Sequence, residues 1–561
     1  MNTLASVLVD KFSRSADAVS MHYEERGADG AAVWKSQTWR EAEARVASTA
    51  AALWGLGIRR GDRVAILGGT HPRWLEADFA TLCVGGVTVG IYPTLRPEAV
   101  HYQLVHSGAK VLLVESQADI DRLADVLKDL PELAVRLWEL PAQPVDLEVF
   151  RARARDVRPE EPCAIFYTSG TTGEPKGAVI THRAMVSVCR ASLVPMPMLP
   201  GESSIVFLPL AHSLQRMAAY RSLLEEISAY FCPSIERITE VLPLARPAVI
   251  ATVPRMLEKI KARIEARVAK SSPVRQRIFA AAIAVGLERS LALEEQRPVP
   301  RLTAWKWALA DRIVFTKVRA NLGGNLRLFA VGGARLDPSV GRFFHAMGIG
   351  VFEAWGLSET CAPATLNCPK DFRFGTVGKP LAGVELKLEP DGEVLVRGPG
   401  LFSGYWNDPV ATANAFTEDG YFRTGDIGEL VDGYLKIIDR KKELLVTSGG
   451  KNIPPVNIEK RLEGGIVGQA VVIGSERPYL VALFAPDPDH AEGLDRAALQ
   501  AAGEARVKEA NASLAPFEQI KRFAWLPAPL SVDNGMLTPT MKLKRRIINE
   551  AYRDVIDGLY R

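Results

Sequence analysis

One stretch of the sequence combines residue types that suit the binding of phosphate. It covers residues 168–177, reads Thr-Ser-Gly-Thr-Thr-Gly-Glu-Pro-Lys-Gly, and follows an apolar run at 163–166 that predicts a buried strand. Glycines let a backbone turn sharply so that its N–H groups face an anion, and hydroxyl groups add further donors. Lys176 adds a mobile positive charge. The stretch is not a Walker A motif, because the lysine precedes a glycine and no hydroxyl follows.

Residues 355–360, Trp-Gly-Leu-Ser-Glu-Thr, bring an aromatic ring and a carboxylate together after a predicted strand. The Trp355 ring can stack on a purine, an interaction worth roughly 1–3 kcal/mol. The Glu359 carboxylate is a hard oxygen ligand of the kind that binds Mg²⁺ together with phosphates. Taken alone, the segment also fits a helix cap in which Ser358 is the N-cap residue.

Two later segments each carry one charged residue of interest. Asp426 ends the run Tyr-Phe-Arg-Thr-Gly-Asp, and a single aspartate can accept hydrogen bonds from both hydroxyls of a ribose. Lys542 lies within Leu-Thr-Pro-Thr-Met-Lys-Leu-Lys-Arg. In isolation, the plain interpretations are a turn aspartate after a glycine and a solvated surface lysine.

Together and in this order, the segments resemble the motifs of the adenylate-forming superfamily, which comprises acyl-CoA synthetases, firefly luciferase and the adenylation domains of peptide synthetases. The resemblance runs from about Thr38 to Arg546, nearly the whole chain. The Thr-Pro-Thr-x-Lys form around Lys542, with Met541 where many members have glycine, resembles the long-chain acyl-CoA synthetase branch. Trp355 stands where the superfamily usually has tyrosine, which retains stacking but removes contacts through a phenol hydroxyl.

The resemblance implies a role for each matching residue. The implied catalytic residues are Lys542, Glu359, Lys176 and His212. The residues implied to bind ATP or CoA are Thr168, Ser169, Gly170, Thr171, Thr172, Gly173, Gly333, Ala334, Ala354, Trp355, Gly356, Ser358, Asp426, Arg440 and Gly450. Mg²⁺ is assigned to Glu359 and Thr171, and Asp439 is the implied hinge. Lys544 is the nearest competitor of Lys542 for the catalytic role.

The composition is that of an ordinary globular protein, with 47% hydrophobic and 24% charged residues. A net charge of +4 gives no reason to expect nucleic acid as a partner. Six cysteines without a Cys-x-x-Cys pair indicate reduced thiols in a cytosolic protein, not a disulfide framework or a zinc site. Neither a secretory leader nor a window of ~18 apolar residues is found. We therefore predict a cytoplasmic protein and leave peripheral contact with the inner face of the membrane open.

The length of 561 residues requires two or more domains. Short apolar strands that alternate with helices over residues 15–360 predict βαβ units and largely parallel sheets. From residue 375 the pattern changes to alternating strands. We predict an α/β fold, with a large N-terminal domain of doubly wound sheets plus a β-rich subdomain over 1–438. A small α+β C-terminal domain over 439–561 follows, and the resemblance makes it a mobile lid that carries the catalytic lysine.

The segment 272–316 is rich in alanine, arginine and tryptophan and reads as helical. Trp305 and Trp307 are membrane-interface anchors in one interpretation. In the other, which we favour, they belong to a packed helical insertion. The sequence does not decide between a monomer and a homodimer.

The resemblance implies a long-chain fatty acid–CoA ligase that uses ATP, Mg²⁺ and CoA. Three alternatives stay open: a ligase that passes its acyl-AMP to a carrier protein, a CoA ligase for medium-chain or aryl acids, and a non-catalytic lipid-responsive scaffold. The presence of Lys176, Glu359, Asp426 and Lys542 argues against the scaffold. Acyl chain length and unsaturation are not readable from the sequence.

Overall fold

The structure is a computed structural model that describes residues 2–26, 32–168, 174–446, 452–475, 477–491, 493–538 and 540–561. Within those residues, two large and mainly parallel sheets flanked by helices are followed by a smaller antiparallel sheet and a C-terminal α+β unit. The predicted α/β fold class is confirmed.

Helices and strands alternate through the first part of the chain, as the spacing of apolar runs predicts. The elements of this part are α1 (Leu4–Arg14), β1 (Val19–Arg26), β2 (Ala32–Thr38), α2 (Trp39–Gly55), β3 (Arg63–Leu67), α3 (Pro72–Cys83), β4 (Val87–Ile91), α4 (Pro97–Ser107), β5 (Ala109–Val114), α5 (Gln117–Leu127), β6 (Ala134–Leu137), α6 (Leu147–Arg155), β7 (Pro162–Thr168) and β8 (Lys176–Thr181).

The middle part continues the alternation and adds consecutive helices where the sequence predicts a helical insertion. Its elements are α7 (His182–Leu193), β9 (Ser203–Val206), α8 (Ser213–Tyr220), β10 (Ser228–Phe231), α9 (Ile238–Ala245), β11 (Val249–Thr252), α10 (Pro254–Ala269), α11 (Pro273–Glu294), α12 (Arg301–Ala310), α13 (Thr316–Ala320), β12 (Leu328–Val331), α14 (Pro338–Ala346), β13 (Gly350–Leu357), β14 (Ala362–Leu366) and β15 (Lys379–Pro380). A π-helical turn at Asp311–Phe315 joins α12 to α13.

The last part begins with antiparallel strands, as predicted, and ends in the α+β unit. Its elements are β16 (Glu385–Leu388), β17 (Glu393–Arg397), β18 (Gly404–Tyr405), α15 (Pro409–Ala415), β19 (Phe422–Val431), β20 (Tyr434–Arg440), β21 (Leu445–Val446), β22 (Asn452–Ile453), α16 (Pro455–Leu462), β23 (Val467–Ile473), β24 (Leu480–Pro486), α17 (Pro488–Ala491), α18 (Arg496–Asn511), β25 (Ile520–Trp525), α19 (Arg545–Ala551) and α20 (Arg553–Gly558).

The first large sheet has the strand order β15-β14-β13-β12-β11-β9-β10-β1-β2, and the second has the order β18-β8-β7-β4-β3-β5-β6, in the residues described. Neighbouring strands at the centre of each sheet are parallel. Such strands are largely buried, as in the fully buried β4, because helices cover both faces. Since the carboxyl ends of parallel strands meet at one edge, the loops after β9, β12 and β13 lie together.

Three smaller sheets follow in the described residues, and the shortest of them pairs β21 with β22. Antiparallel β16, β17, β19 and β20 form the β-rich subdomain, and β23, β24 and β25 form the sheet of the C-terminal unit. The predicted domain boundary after residue 438 falls inside β20, which continues to Arg440. Its position, and the mobility of the C-terminal domain, stay predictions.

A buried ion pair joins helices that belong to the two large sheets. Asp78 lies on α3 and Arg216 on α8, and neither side chain is exposed to solvent. The Arg216 guanidinium donates to the Asp78 carboxylate and, at 2.9 Å, to the Tyr220 hydroxyl. Tyr220 in turn donates to Asp78. This contact sets the position of α8, the helix that begins directly after His212.

Two further expectations concern cysteines and membrane spans. All six cysteines are free thiols, and five of them are buried. The helical insertion packs on the rest of the fold, as favoured, mainly through α11 against α14. Over the ranges that the structure describes, no helix has the length and apolar character needed to cross a bilayer.

We expect Arg216→Met to destabilise the large domain by about 3–5 kcal/mol, because the variant leaves the Asp78 carboxylate buried without its cation. The free energy of unfolding in urea measures this loss. The double variant Asp78→Leu/Arg216→Met is the control, and it should recover most of the loss because no charge is then buried. Equal losses in the single and double variants would show that the pair is not energetically coupled.

Candidate functional site

The predicted phosphate-binding stretch is bracketed by two hydrogen-bonded strands. β7 ends at Thr168, β8 begins at Lys176, and the antiparallel register sets these two residues opposite each other. The Thr168 hydroxyl also donates to the Lys176 carbonyl at 3.4 Å. The strand pairing therefore positions both ends of the stretch. The predicted residues that lie outside the described residues are Ser169, Gly170, Thr171, Thr172, Gly173 and Gly450.

A tyrosine to which the sequence assigned no role connects Lys176 with Glu359. β18 pairs with β8 and sets Tyr405 opposite Ala178. The Lys176 ammonium consequently lies 5.0 Å from the centroid of the Tyr405 ring. The Tyr405 hydroxyl donates to Glu359 Oε1 at 2.9 Å. One side chain thus holds the predicted metal-binding carboxylate near the lysine of the phosphate stretch.

Glu359 and Ser358 lie in a short 3₁₀ turn, Ser358–Thr360, directly after β13. The Glu359 residue is only 6% exposed. Burial raises the pKa of its carboxyl, and the hydrogen bond from Tyr405 counteracts this by lowering the pKa. Burial has the larger effect, so the pKa of Glu359 is raised overall, and Tyr405 limits that rise.

Several predicted nucleotide contacts lie at the carboxyl edge of the first sheet. Gly333 and Ala334 are exposed directly after β12, and Ala354–Gly356 belong to the end of the neighbouring parallel strand β13. Gly333 adopts a left-handed φ of 83°. A Cβ atom at Gly356 would lie 1.9 Å from the Ala362 carbonyl oxygen, so the backbone leaves no room for a side chain there.

Asp426 is held by two donors from different parts of the chain. The β19–β20 register places Arg440 opposite Asp426, and the Arg440 Nε atom lies 2.7 Å from Asp426 Oδ1. The Trp355 indole N–H donates to Asp426 Oδ2, also at 2.7 Å. Each carboxylate oxygen has two lone pairs. Each therefore keeps one acceptor position after these bonds, which is what two ribose hydroxyls require.

Trp355 has a polar role that the sequence did not predict. The residue is 8% exposed and packs in a cluster formed with Ala364, Val394, Val396 and Leu435. The replacement of tyrosine by tryptophan was expected to remove polar contacts through a hydroxyl. The structure shows that the indole N–H supplies a polar contact instead. Purine stacking on this ring stays a prediction.

The backbone around Lys542 forms a tight turn. The Thr538 N–H donates to the Lys542 carbonyl at 2.8 Å, and the Lys542 N–H donates to the Thr538 hydroxyl at 3.0 Å. Between them, Met541 adopts a left-handed φ of 63°. Glycine is the residue that adopts this conformation without strain, so Met541 holds a backbone conformation that suits glycine better.

The Lys542 ammonium reaches the cluster formed by the preceding residues. It remains in contact with solvent, yet the surrounding protein encloses it, and this desolvation lowers its pKa, as does the nearby Arg440 guanidinium. The Asp426 and Glu359 carboxylates oppose that shift. Lys544, in contrast, lies near Arg96, which together with burial lowers the pKa of Lys544.

His212 enters the same region from the loop after β9. It is the N-cap residue of α8, and its Nδ1 atom accepts a hydrogen bond from the Leu214 N–H at 3.2 Å. An accepting Nδ1 assigns the ring proton to Nε2. Burial, assisted by the positive charge of Lys542, lowers the pKa of His212 to about 4. The ring is therefore a neutral donor at neutral pH.

The implied hinge residue lies in a cluster of acidic groups around one arginine. The Asp439 carboxylate is buried, and its Oδ1 atom accepts from the Arg440 N–H at 2.7 Å. Burial and the neighbouring carboxylates of Glu443 and Glu459 raise its pKa to about 6, against the opposing effect of Arg545. Arg545 makes two hydrogen bonds of 2.7 and 2.6 Å to Glu459.

This cluster connects the hinge to the turn that holds the lysine, because Arg545 follows Lys542 by three residues. The Arg545 Nε atom lies 3.7 Å from Glu443, which is four residues beyond Asp439. These charged contacts, all within residues 439–561, thus hold the lysine turn against the segment that follows the implied hinge.

Comparisons with known families and proteins agree with this geometry. The profile of the AMP-binding enzyme family matches residues 10–406, and that of the AMP-binding enzyme C-terminal domain matches residues 442–561. The long-chain-fatty-acid–CoA ligase FadD15 of Mycobacterium tuberculosis is 37% identical over 561 residues, which cover 94% of this chain and 93% of the relative. The human long-chain-fatty-acid–CoA ligase ACSBG1 is 31% identical, with 90% and 78% covered.

Two solved structures share the fold over nearly their whole length. ATP-bound MatB from Rhodopseudomonas palustris superposes with a TM-score of 0.72 at 24% identity, covering 99% of this chain and 100% of that one. The o-succinylbenzoate CoA synthetase MenE from Bacillus subtilis, in complex with its acyl-adenylate intermediate, gives a TM-score of 0.71 at 20% identity, covering 96% and 97%.

We expect Trp355→Phe to lower kcat/KM for ATP by about 10- to 100-fold. The variant keeps an aromatic face but removes the donor to Asp426, and a hydrogen bond to a charged group contributes about 1.5–3 kcal/mol. Pyrophosphate release at varied ATP concentration measures the effect. Trp307→Phe is the matched control, since it removes a 2.8 Å indole bond to the Ala346 carbonyl that does not involve Asp426. If Trp355→Phe kept the wild-type kcat/KM, the aromatic face of the ring would account for its whole contribution, and the hydrogen bond to Asp426 would not matter.

We expect Tyr405→Phe to move the acidic limb of the pH profile of kcat/KM for ATP to higher pH. The hydroxyl lowers the pKa of Glu359, so its loss raises that pKa and delays formation of the carboxylate as pH rises. At neutral pH, activity should fall roughly 3- to 10-fold. Tyr421→Phe, which removes a 3.0 Å hydrogen bond to Glu385, is the control and should leave the profile in place. An unmoved limb in Tyr405→Phe would contradict the role of this hydroxyl.

Proposed function

The chain belongs to the AMP-binding enzyme family, and we propose that it is a long-chain fatty acid–CoA ligase, the activity named for its relatives FadD15 and ACSBG1. It is an AMP-forming acid–thiol ligase. The observation that carries this function is the buried Asp426 carboxylate, which Trp355 and Arg440 hold while each of its oxygens keeps one acceptor position.

The chemistry proceeds in two half-reactions, because a carboxylate is a poor acylating agent whose leaving group would be oxide. In the first, a carboxylate oxygen of the fatty acid bonds to the α-phosphorus of ATP, and the bond from that phosphorus to pyrophosphate breaks. In the second, the CoA thiol loses its proton and its sulfur bonds to the acyl carbon. AMP then leaves with the electron pair of the broken acyl–oxygen bond.

Different residues bind different parts of the nucleotide. Asp426 accepts hydrogen bonds from the ribose hydroxyls, with its carboxylate oriented by Trp355 and Arg440. Lys176 and the end of β7 at Thr168 contact the β- and γ-phosphates. Adenine lies against the glycine-bearing ends of β12 and β13.

The residues near Glu359 fit a magnesium ion. Its carboxylate is a hard oxygen ligand, is buried, and is oriented by the 2.9 Å hydrogen bond from Tyr405. When bound, Mg²⁺ neutralises phosphate charge and favours departure of pyrophosphate. The second implied ligand, Thr171, lies outside the described residues.

Lys542 stabilises the charge that develops as the acyl carboxylate bonds to the α-phosphate. Two unit charges ~4 Å apart interact by about 4 kcal/mol at an effective dielectric constant near 20, against about 1 kcal/mol in water. A cleft closed over bound ATP and acid would place the ammonium in the former regime. Loss of one such positioned charge lowers the rate of the step by a factor of ~10²–10³. Neutral His212 offers its Nε2–H to the acyl carboxylate without adding a charge.

The C-terminal domain, residues 439–561, rotates about Asp439 between the half-reactions. The adenylating arrangement requires the Lys542 ammonium near Asp426, Glu359 and Arg440, and the effect of these three groups on the pKa of Lys542 supports it. Thioester formation requires the lysine to leave, so that the segment with Gly450 can line the path of CoA. One cleft cannot accommodate both at once, and rotation therefore separates the two steps.

Pyrophosphate release from ATP and Mg²⁺ with a ladder of acids, with and without CoA, tests this function. We expect pyrophosphate release that depends on the added acid and is greatest with long-chain acids. Sustained turnover should require CoA and yield acyl-CoA. Release of pyrophosphate without acyl-CoA would indicate transfer to a carrier protein. A maximum at medium-chain or aryl acids would correct the substrate class, and the absence of turnover with every acid would exclude the ligase.

We expect Lys542→Ala to lower acyl-adenylate formation by about 10²–10³-fold and to leave thioester formation from preformed acyl-AMP largely intact. The two steps are measured separately, by pyrophosphate release and by consumption of added acyl-AMP with CoA. Lys544→Ala is the control, because this side chain lies near Arg96. An equal loss in both half-reactions would contradict the assignment of Lys542 to the first.

A further inference from the structure

The helical insertion presents a continuous apolar surface to solvent. Leu302, Trp305, Leu309 and Ile313 are 62%, 65%, 47% and 45% exposed. Their spacing along α12 and the π-helical turn that follows it places them on one face of the helix. We call these four residues the 302–313 stripe.

The stripe is part of a firmly packed element. Trp307, on the opposite side of α12, donates its indole N–H to the Ala346 carbonyl at 2.8 Å, and the Arg289 guanidinium lies 4.2 Å from the centre of its ring. α11 approaches α14 so closely that a Cβ atom at Gly286 would lie 2.5 Å from the Ala346 carbonyl oxygen. Of the two tryptophans that the sequence singled out, one is therefore structural and the other faces solvent.

Positive charge surrounds the stripe. Residues 273–320 contain nine lysines and arginines but four acidic residues. Each of the four acidic side chains has a partner: Glu288 accepts from Thr303, Glu294 and Glu295 pair with Arg342 and Arg297, and Asp311 pairs with Arg319.

The cationic side chains next to the stripe are exposed to solvent. They are Arg301, Lys306, Arg312 and Lys317. Among the residues that the structure describes, none of the four makes an ion pair with an acidic side chain. The surface thus combines an apolar centre with an uncompensated positive border.

We propose that the 302–313 stripe docks this protein on the surface of an anionic lipid membrane. Tryptophan prefers the membrane–water interface, and aliphatic side chains beside it enter the boundary of the acyl chains. Lysines and arginines along the border attract anionic head groups. The stripe spans about 17 Å of helix, so α12 lies along the membrane plane and does not cross it.

A second copy of the chain fits this surface less well. A two-fold symmetric contact would bring the same patch of both copies together. It would therefore place the four bordering cations of one copy against the four of the other, and like charges opposed across an interface are costly. Lysine is also depleted at the centres of protein interfaces.

Docking has a consequence that rests on the proposed function. Long-chain fatty acids partition into bilayers because their chains are apolar, so an enzyme held at the membrane surface meets its acid substrate at a high local concentration. Short, water-soluble acids gain nothing from the membrane.

Sedimentation of the full-length protein with vesicles of phosphatidylcholine, with or without phosphatidylglycerol, tests the proposal. We expect binding to the anionic vesicles that weakens as salt rises. Leu302→Glu/Trp305→Glu should lower the partition coefficient by at least about tenfold. Lys306→Gln/Lys317→Gln should weaken it about fivefold for each charge and reduce the salt dependence. Val194→Glu, at a residue 86% exposed outside the insertion, is the matched control and should bind as the wild type does.

Three results would overturn the proposal: no binding to anionic vesicles, binding that Leu302→Glu/Trp305→Glu does not change, or a dimer in analytical ultracentrifugation that this variant dissociates. The third result would make the surface an interface between copies. Far-ultraviolet circular dichroism and the thermal midpoint establish that the variants are folded. Sedimentation measures binding without turnover, so a negative result would not contradict the ligase function. Pyrophosphate release with acids of different chain length tests that function separately.

Discussion

The nucleotide site depends on the orientation of the buried carboxylate of Asp426. Two donors fix that orientation: the Trp355 indole and the Arg440 guanidinium. Trp355 lies near the end of β13, and Arg440 lies in the hairpin of β19 and β20. Lys542, from the C-terminal unit, adds its charge to the same cluster. One carboxylate therefore links three parts of the fold at the position where ribose is proposed to bind.

Charge pairing also positions the elements around that cluster. The buried pair of Arg216 with Asp78 joins the two large sheets and places α8, whose N-cap is His212. Arg545 connects Glu459 with the hinge strand near Asp439. Buried charges are costly unless they are paired, so these contacts specify a particular arrangement of sheets and domains. The contacts of Arg545 lie within residues 439–561 and hold the lysine turn to the segment after Asp439.

The alternation of short apolar strands with helices predicted the fold class. The order of motifs assigned roles to Lys176, Asp426 and Lys542 only through their resemblance to a known family, and these roles stay predictions. Contacts between distant segments were not readable. Tyr405 reaches Glu359 only through the pairing of β18 with β8, and the bond from Trp355 to Asp426 spans 71 positions of sequence. Trp305 and Trp307 look equivalent in the sequence, and only the packing of α12 separates an exposed ring from a structural one.

A crystal structure with a non-hydrolysable acyl-sulfamoyl-adenosine tests the central claim most directly. The account predicts that both ribose hydroxyls donate to Asp426 while this carboxylate keeps its bonds to Trp355 and Arg440. It also predicts that the Lys542 ammonium lies within hydrogen-bond distance of the sulfamoyl group that replaces the α-phosphate. A ribose bound away from Asp426, or a carboxylate that gives up the indole to bind it, would contradict the account.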